Sequence, residues 1–218
     1  MPTITALEPQ KKRTGRFNLY LDGQFAFCID IDALVKNHLA DNQHITPDQI
    51  SKIIKETVLG NLINLSLRFL TQRPRSQKEI TDYLAKKISQ KESLKFSEAR
   101  QSPLIDQVIS KLKIYHYLDD LEFAKWWVAA RTKSKPKGKM LIKLELGRKG
   151  IDPEIIDHVL ARSPGQKDLA IAAVKKKITR WQSLPQLELK NKVYQYLRTR
   201  GFDYDTISEA FAFFTKKS

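Results

Sequence analysis

"RKGIDPEIIDHVLA", residues 148–161, returns as "TRGFDYDTISEAFA", residues 199–212. Alignment places Gly150 over Gly201, Ile151 over Phe202, Asp152 over Asp203 and Ile156 over Ile207, a constant offset of 51 (201 − 150). Self-similarity at a fixed period marks a repeated supersecondary unit. A helix running into Lys149 or Arg200 meets a Gly that can adopt the left-handed conformation and close it. The Asp that follows can accept hydrogen bonds from the free N–H groups of a new helix, and Pro153 stands where a first turn tolerates it. The apolar residue before that cap (Ile151, Phe202) can pack on the one four positions into the new helix (Ile156, Ile207), a hydrophobic staple. The phrase therefore encodes a sharp helix-to-helix corner, written twice.

Outward from the corners, the helical period holds from residue 46 to the end. Thr46 with Pro47 and Gln49 is a start signal, and "QISKIIKETVLGNLINLSLRFL" keeps three- and four-residue apolar spacing. Further starts are expected at Ser76 with Glu79, Asp119 with Glu122, and Ser163 with Pro164 and Gln166. Residues 61–214 divide into about nine helical pieces in three groups of three: a connecting helix at 46–60, then repeats at 61–118, 119–162 and 163–218. The first repeat carries an insertion near 88–103, "ISQKESLKFSEARQSP", read as a solvated loop or helix extension. Only residues 3–30 read as β structure: "RFNLYLDGQFAFCID" alternates around Asp22-Gly23, a two-residue hairpin signal, and "TITALEP" supplies a third strand. A β cap with a short helix near 31–40 thus fills residues 1–45. The predicted fold is mainly α, with tandem three-helix repeats in an elongated curved array behind this small cap.

The 218 residues, 41% hydrophobic, suffice for a core. The net charge of +15 and pI near 9.8 make polyanions or an acidic protein surface the natural partners. The lone Cys28 excludes an intramolecular disulfide and a multi-cysteine zinc site, which fits a reducing cytoplasm. Apolar runs are too short for a membrane span, and the N-terminus has no signal-peptide pattern.

"RPRSQKEITDYLAKK" (73–87) and "YLDDLEFAKWWVAAR" (117–131) resemble the RecX family, regulators of the RecA recombinase. The matching residues are Arg73-Pro74-Arg75-Ser76 with Glu79 and Leu84, then Tyr117-Leu118-Asp119-Asp120 with Phe123-Ala124. They continue with Gly138, Glu145-Leu146 and Lys149-Gly150-Ile151. The resemblance covers residues 62–214, and the β-hairpin start is similar to the N-terminal extension of many longer members. It implies a regulator without a catalytic centre that lodges in the groove of the RecA filament on DNA. Such a protein restrains ATP hydrolysis, strand exchange and co-protease activity, and so acts in recombination, DNA repair and the SOS response. One departure is His116, where many members have a glycine before the tyrosine.

Two stretches concentrate charge. Residues 131–149 hold Arg131, Lys133, Lys135, Lys137, Lys139, Lys143, Arg148 and Lys149 against Glu145 alone, eight minus one or +7. Residues 167–200 hold nine cations, among them Lys176, Lys177, Arg180, Arg198 and Arg200, against Asp168 and Glu188, again +7. Ammonium and guanidinium groups in exposed connections and on one helix face suit phosphates. Arg73 and Arg75, flanking Pro74, supply either a third basic corner or hydrogen bonds to the terminal carbonyls of the preceding helix. Trp127, spaced helically with Phe123 and Ala130, reads as core, whereas Trp126 points elsewhere and is the candidate surface anchor.

Catalysis has no support. Adjacent Asp119 and Asp120 suit a helix cap better than an acid–base pair, and the four His lack ligand spacing. "GKM" (138–140) lacks the rest of a phosphate loop, and "ELK" (188–190) has no upstream metal-binding acid. No cofactor, metal or membrane is expected, and the chain is expected to be a monomer binding the RecA filament together with single- and double-stranded DNA. The alternative is a stand-alone DNA-binding module of helix-turn-helix-like units.

Overall fold

The structure, a computed structural model, describes residues 1–11, 14–133 and 136–215, and the backbone but not the side chain of Lys176. Its residues fall into two compact units, Met1–Thr71 with Leu84–Ile114, and Gln72–Tyr83 with Tyr115–Ser218.

The first unit opens with an antiparallel sheet of β1 (Ile4–Pro9), β2 (Arg16–Leu21) and β3 (Gln24–Asp30), in that order. Leu21 pairs with Gln24, so the connection is the two-residue Asp22-Gly23 turn, with both residues at positive φ (49° and 79°). This is the primed turn that matches strand twist. Asp30 then caps α1 (Ile31–Lys36) by accepting from the Ala33 N–H. Thr46 and Gln49 form the anticipated capping box for α2 (Pro47–Leu70). No break separates a connecting helix from the first repeat: α2 runs on through Gly60, because neither a second cap nor a proline stops it. Ile4, Leu19 and Ile29 from the sheet, with Ala33, Leu39, Ile45 and Ile53, bury one face of the cap. That burial gives the small sheet a stability that an isolated hairpin lacks.

The insertion is both extension and extra helix. α3 (Gln77–Glu92) turns at Ser93, φ 55°, into the short α4 (Phe96–Arg100), and α5 (Pro103–Ile114) follows. α4 adds a tenth helical piece to the nine expected among the described residues, and Ala99 is its buried contact.

The second unit holds the opening turns of α3 and two complete repeats. One is α6 (Asp120–Lys133), α7 (Lys139–Arg148) and α8 (Pro153–Ala161); the other is α9 (Gln166–Trp181), α10 (Gln186–Thr199) and α11 (Tyr204–Thr215). Each has its own core: Phe123, Trp127, Ile142, Leu146, Ile151 and Ile156 in one, Val174, Val193, Leu197, Phe202 and Ile207 in the other. Both corners form as read. Gly150 and Gly201 lie at φ 76° and 81°, and the next N–H, of Ile151 or Phe202, reaches back to the carbonyl of Leu146 or Leu197. Asp152 accepts from Glu154 N–H and Asp203 from Thr206 N–H, each at 2.8 Å. Asp119 caps α6 through the Leu121 and Glu122 N–H groups. One expected start is displaced. Ser163 caps nothing, because it lies two residues before the cap position, held by Gly165, and donates back to the Leu160 carbonyl.

Candidate nucleic-acid and partner interface

Two glutamates in the second unit decide which of the expected cations are available. Glu79, the third helical residue of α3, closes a capping box with Ser76. Its carboxylate also takes a two-pronged bond from Arg73 (2.8 and 3.0 Å) and a third from Lys149 Nζ (2.6 Å). The side chain is only 14% exposed. Burial pushes this carboxyl up, but the hydrogen bonds from Arg73 and Lys149 outweigh it and hold it at about 2. Glu145, on α7, accepts from Trp127 Nε1 (2.9 Å), Arg131 Nε (2.7 Å) and Lys137 Nζ. Burial again raises this carboxyl, and the bonds from Lys137, Arg131 and Trp127 win, leaving it below the usual range.

Arg73, Arg131, Lys137 and Lys149 are thus turned inward onto carboxylates. Arg73 also donates to the Pro74 carbonyl, and Arg75 Nη2 donates to Gln72 Oε1. Lys143 pairs with Asp157 at 2.5 Å in an exposed bridge, of little energetic weight. Arg200 stacks over Tyr196 at 4.5 Å. Trp127 is buried, with Arg131 at 4.1 Å and Lys149 at 5.3 Å over its ring. Trp126 is half-buried against the same core, with Arg73 5.9 Å from its ring.

Six of the expected cations remain: Lys133, Lys139, Arg148, Lys177, Arg180 and Arg198. Among the described residues, none has a side-chain hydrogen bond or ion pair, and all but Lys139 are exposed. Lys135 and the Lys176 side chain lie outside the described residues. The sequence did carry a signal for the neutralisation: an acid left alone among eight cations, as Glu145 is, has to be shared.

What the arrangement offers is a set of unpaired ammonium and guanidinium groups on a helical scaffold, suited to phosphate or carboxylate. No helix among the described residues is long and apolar enough to cross a membrane. The fold and these charges define a helical-repeat protein with a β cap. Family models agree along its length. Residues 2–46 match the regulatory protein RecX N-terminal domain, and 63–92, 119–160 and 166–211 match the first, second and third three-helix domains of RecX.

The chain belongs to the RecX family of regulatory proteins. It is 35% identical over 212 residues to regulatory protein RecX of Bacillus subtilis (strain 168), covering 96% of this chain and 76% of the relative. It is 32% identical to that of Staphylococcus aureus (strain N315), covering 95% and 72%. A crystal structure of regulatory protein RecX superposes with a TM-score of 0.68 at 26% identity over 95% of this chain and 98% of that one. The RecX structure from Lactobacillus salivarius gives 0.58 at 25% over 71% and 94%.

Proposed function

We propose that this protein is a non-enzymatic regulator that binds the RecA–DNA filament in its groove and restrains RecA ATP hydrolysis, strand exchange and co-protease activity. It acts as a monomer in the cytoplasm. The observation that carries the reading is the match of the cap and all three helical domains, in order, to a regulatory family. The six unpaired cations are the groups we assign to filament or DNA contact. Base reading by a helix-turn-helix unit is disfavoured, because α8 and α11 begin with acids, Asp152 and Glu154 in one and Asp203 and Asp205 in the other. A helix inserted into the major groove needs donors such as Arg, Asn or Gln at its exposed start.

The test is ATP hydrolysis by the cognate RecA on single-stranded DNA, titrated with this protein, beside DNA-only binding at low and high salt. Inhibition at protein levels too low to coat the DNA is the expected result. Unaltered hydrolysis and strand exchange together with tight, salt-sensitive DNA binding would overturn the reading in favour of a stand-alone DNA-binding module.

A further inference from the structure

Both glycine corners receive the same guest, the opening residues of the second helix of the repeat before. At the first corner Ser76 Oγ donates to the Lys149 carbonyl and the Gln77 N–H to Asp120 Oδ1, each at 2.8 Å. At the second, the Gly138 N–H donates to the Arg200 carbonyl and the Lys139 N–H to Gln166 Oε1, also at 2.8 Å. Ser76 therefore corresponds to Gly138, Gln77 to Lys139 and Lys78 to Met140.

The frame is shared, but the lining is not. Through the offset of 51, Lys143, Gly147 and Pro153 of the first corner stand where the second has Tyr194, Arg198 and Tyr204. Lys78, whose ammonium donates to the Arg148 carbonyl at 3.0 Å, stands where the second has Met140. These exchanges turn a polar seam into an apolar groove of about 1040 Å³. Phe202 and Ile207 are its buried floor, and Met140 and Tyr204, each 68% exposed, are its walls together with Tyr194. The first corner closes without any of these wall residues, so closing the corner does not account for them.

The rim indicates what the groove takes. Arg198 lies in the lining, exposed and in no ion pair among the described residues, and the Lys190 ammonium stands over the Tyr194 ring at 5.5 Å. The one lining acid among the described residues, Asp203, accepts from the Thr206 N–H and stands against these two cations, which leaves the rim positive. An apolar interior with a cationic rim complements an apolar anchor flanked by carboxylates. Stacked bases suit it less. Tyr194 meets Tyr204 at an interplanar angle of 63° and Phe211 at 67°, so these rings offer a base single faces but no parallel slot between them.

We propose that the groove between the first turn of α7 and the α10–α11 corner docks a short acidic segment of a partner protein through an aromatic or branched aliphatic anchor. This goes beyond the regulator reading, since it requires neither DNA nor a filament.

The test pans a displayed library of short random peptides against the full chain. Enriched peptides and a labelled oligo(dT) are then measured against wild type, Met140→Glu and Arg198→Glu. Both substitutions are at exposed positions, and melting curves verify folding. The expected result is enrichment of acidic peptides with an aromatic or aliphatic anchor, whose affinity falls about tenfold or more in each variant, while Met140→Glu leaves oligo(dT) affinity unchanged. Three results overturn the proposal: no enrichment above background, peptides that bind the variants as well as wild type, or loss of oligo(dT) alone, which would make the groove a nucleic-acid site. Because no readout uses RecA, its failure is separable from failure of the regulator reading.

Discussion

Single backbone positions carry the repeat junctions. A β-carbon at Gly138 would lie 2.0 Å from the Gly201 carbonyl oxygen, a backbone atom that cannot swing aside. Gly138→Ala therefore has to pry the two repeats apart, at a cost of about 2–3 kcal/mol by analogy with overpacked cores. Chemical denaturation should show the midpoint falling without loss of helical circular dichroism in the native baseline; an unchanged midpoint would refute the close approach. His116 presents the opposite case. The position where many family members have glycine sits here at φ 56°, the left-handed region that costs a β-carbon-bearing residue about 1–2 kcal/mol. Glycine removes that strain but adds freedom to the unfolded chain, so His116→Gly should stabilise by about 0.5–1 kcal/mol net. Nothing in the sequence around His116 specified positive φ except that resemblance.

At the scale of elements, the corners were legible because their rules are local: a glycine, a cap and a staple within ten residues. The inward turn of Lys149 was not, since it reaches Glu79 across 70 positions of sequence, whereas the lone Glu145 did signal that cations such as Arg131 and Lys137 would share it. Charge counting along the chain treats such a cation as free. The start at Ser163 failed for another reason: the cap position fell to Gly165, and Gln166, the supposed capping partner, is then the first helical residue and turns its amide oxygen to the Lys139 N–H of the preceding repeat. The Glu79 knot has a measurable consequence. Its folded carboxyl sits at about 2 against an ordinary value of 4.5, so the ionised form is the one the fold favours. The contribution is fully present above the unfolded value and is lost as pH falls from about 4.5 towards 2, amounting to roughly 3 kcal/mol over that window. Glu79→Gln should therefore lower stability at pH 7 by about 2–3 kcal/mol, leaving Arg73 and Lys149 without their acid, and should flatten the acid limb of the stability profile. Urea midpoints measured from pH 7 down to pH 2.5 check this; parallel profiles for variant and wild type would contradict it.

Across the whole molecule, the formal net charge of +15 does not say which cations a partner meets. Composition points to acidic or phosphate-bearing partners, because net charge survives any folding. It could not say which cations face outward, since that depends on where the glutamates land. The basic run at 131–149 separates into two kinds of residue on this basis. Lys137 is held by Glu145, whereas Lys133, Lys139 and Arg148 have no side-chain partner among the described residues. Reversing the second kind, in a Lys133→Glu, Lys139→Glu, Arg148→Glu triple variant, breaks no side-chain ion pair among the described residues and should leave the melting temperature within about 4 °C of wild type, the half-buried Lys139 contributing most of any change. The same variant should weaken filament or DNA binding, with the slope of log affinity against log salt shallower by about 0.7–0.9 for each phosphate contact removed. Lys137→Glu should do the reverse. It places a second carboxylate against Glu145, Trp127 and Arg131, so the melting temperature falls, while the salt slope changes by less than one contact. Differential scanning fluorimetry and a salt titration of filament binding on the same preparations separate the two. If Lys137→Glu altered the salt slope as much as the triple variant and left melting intact, the division into inward and outward cations would be wrong.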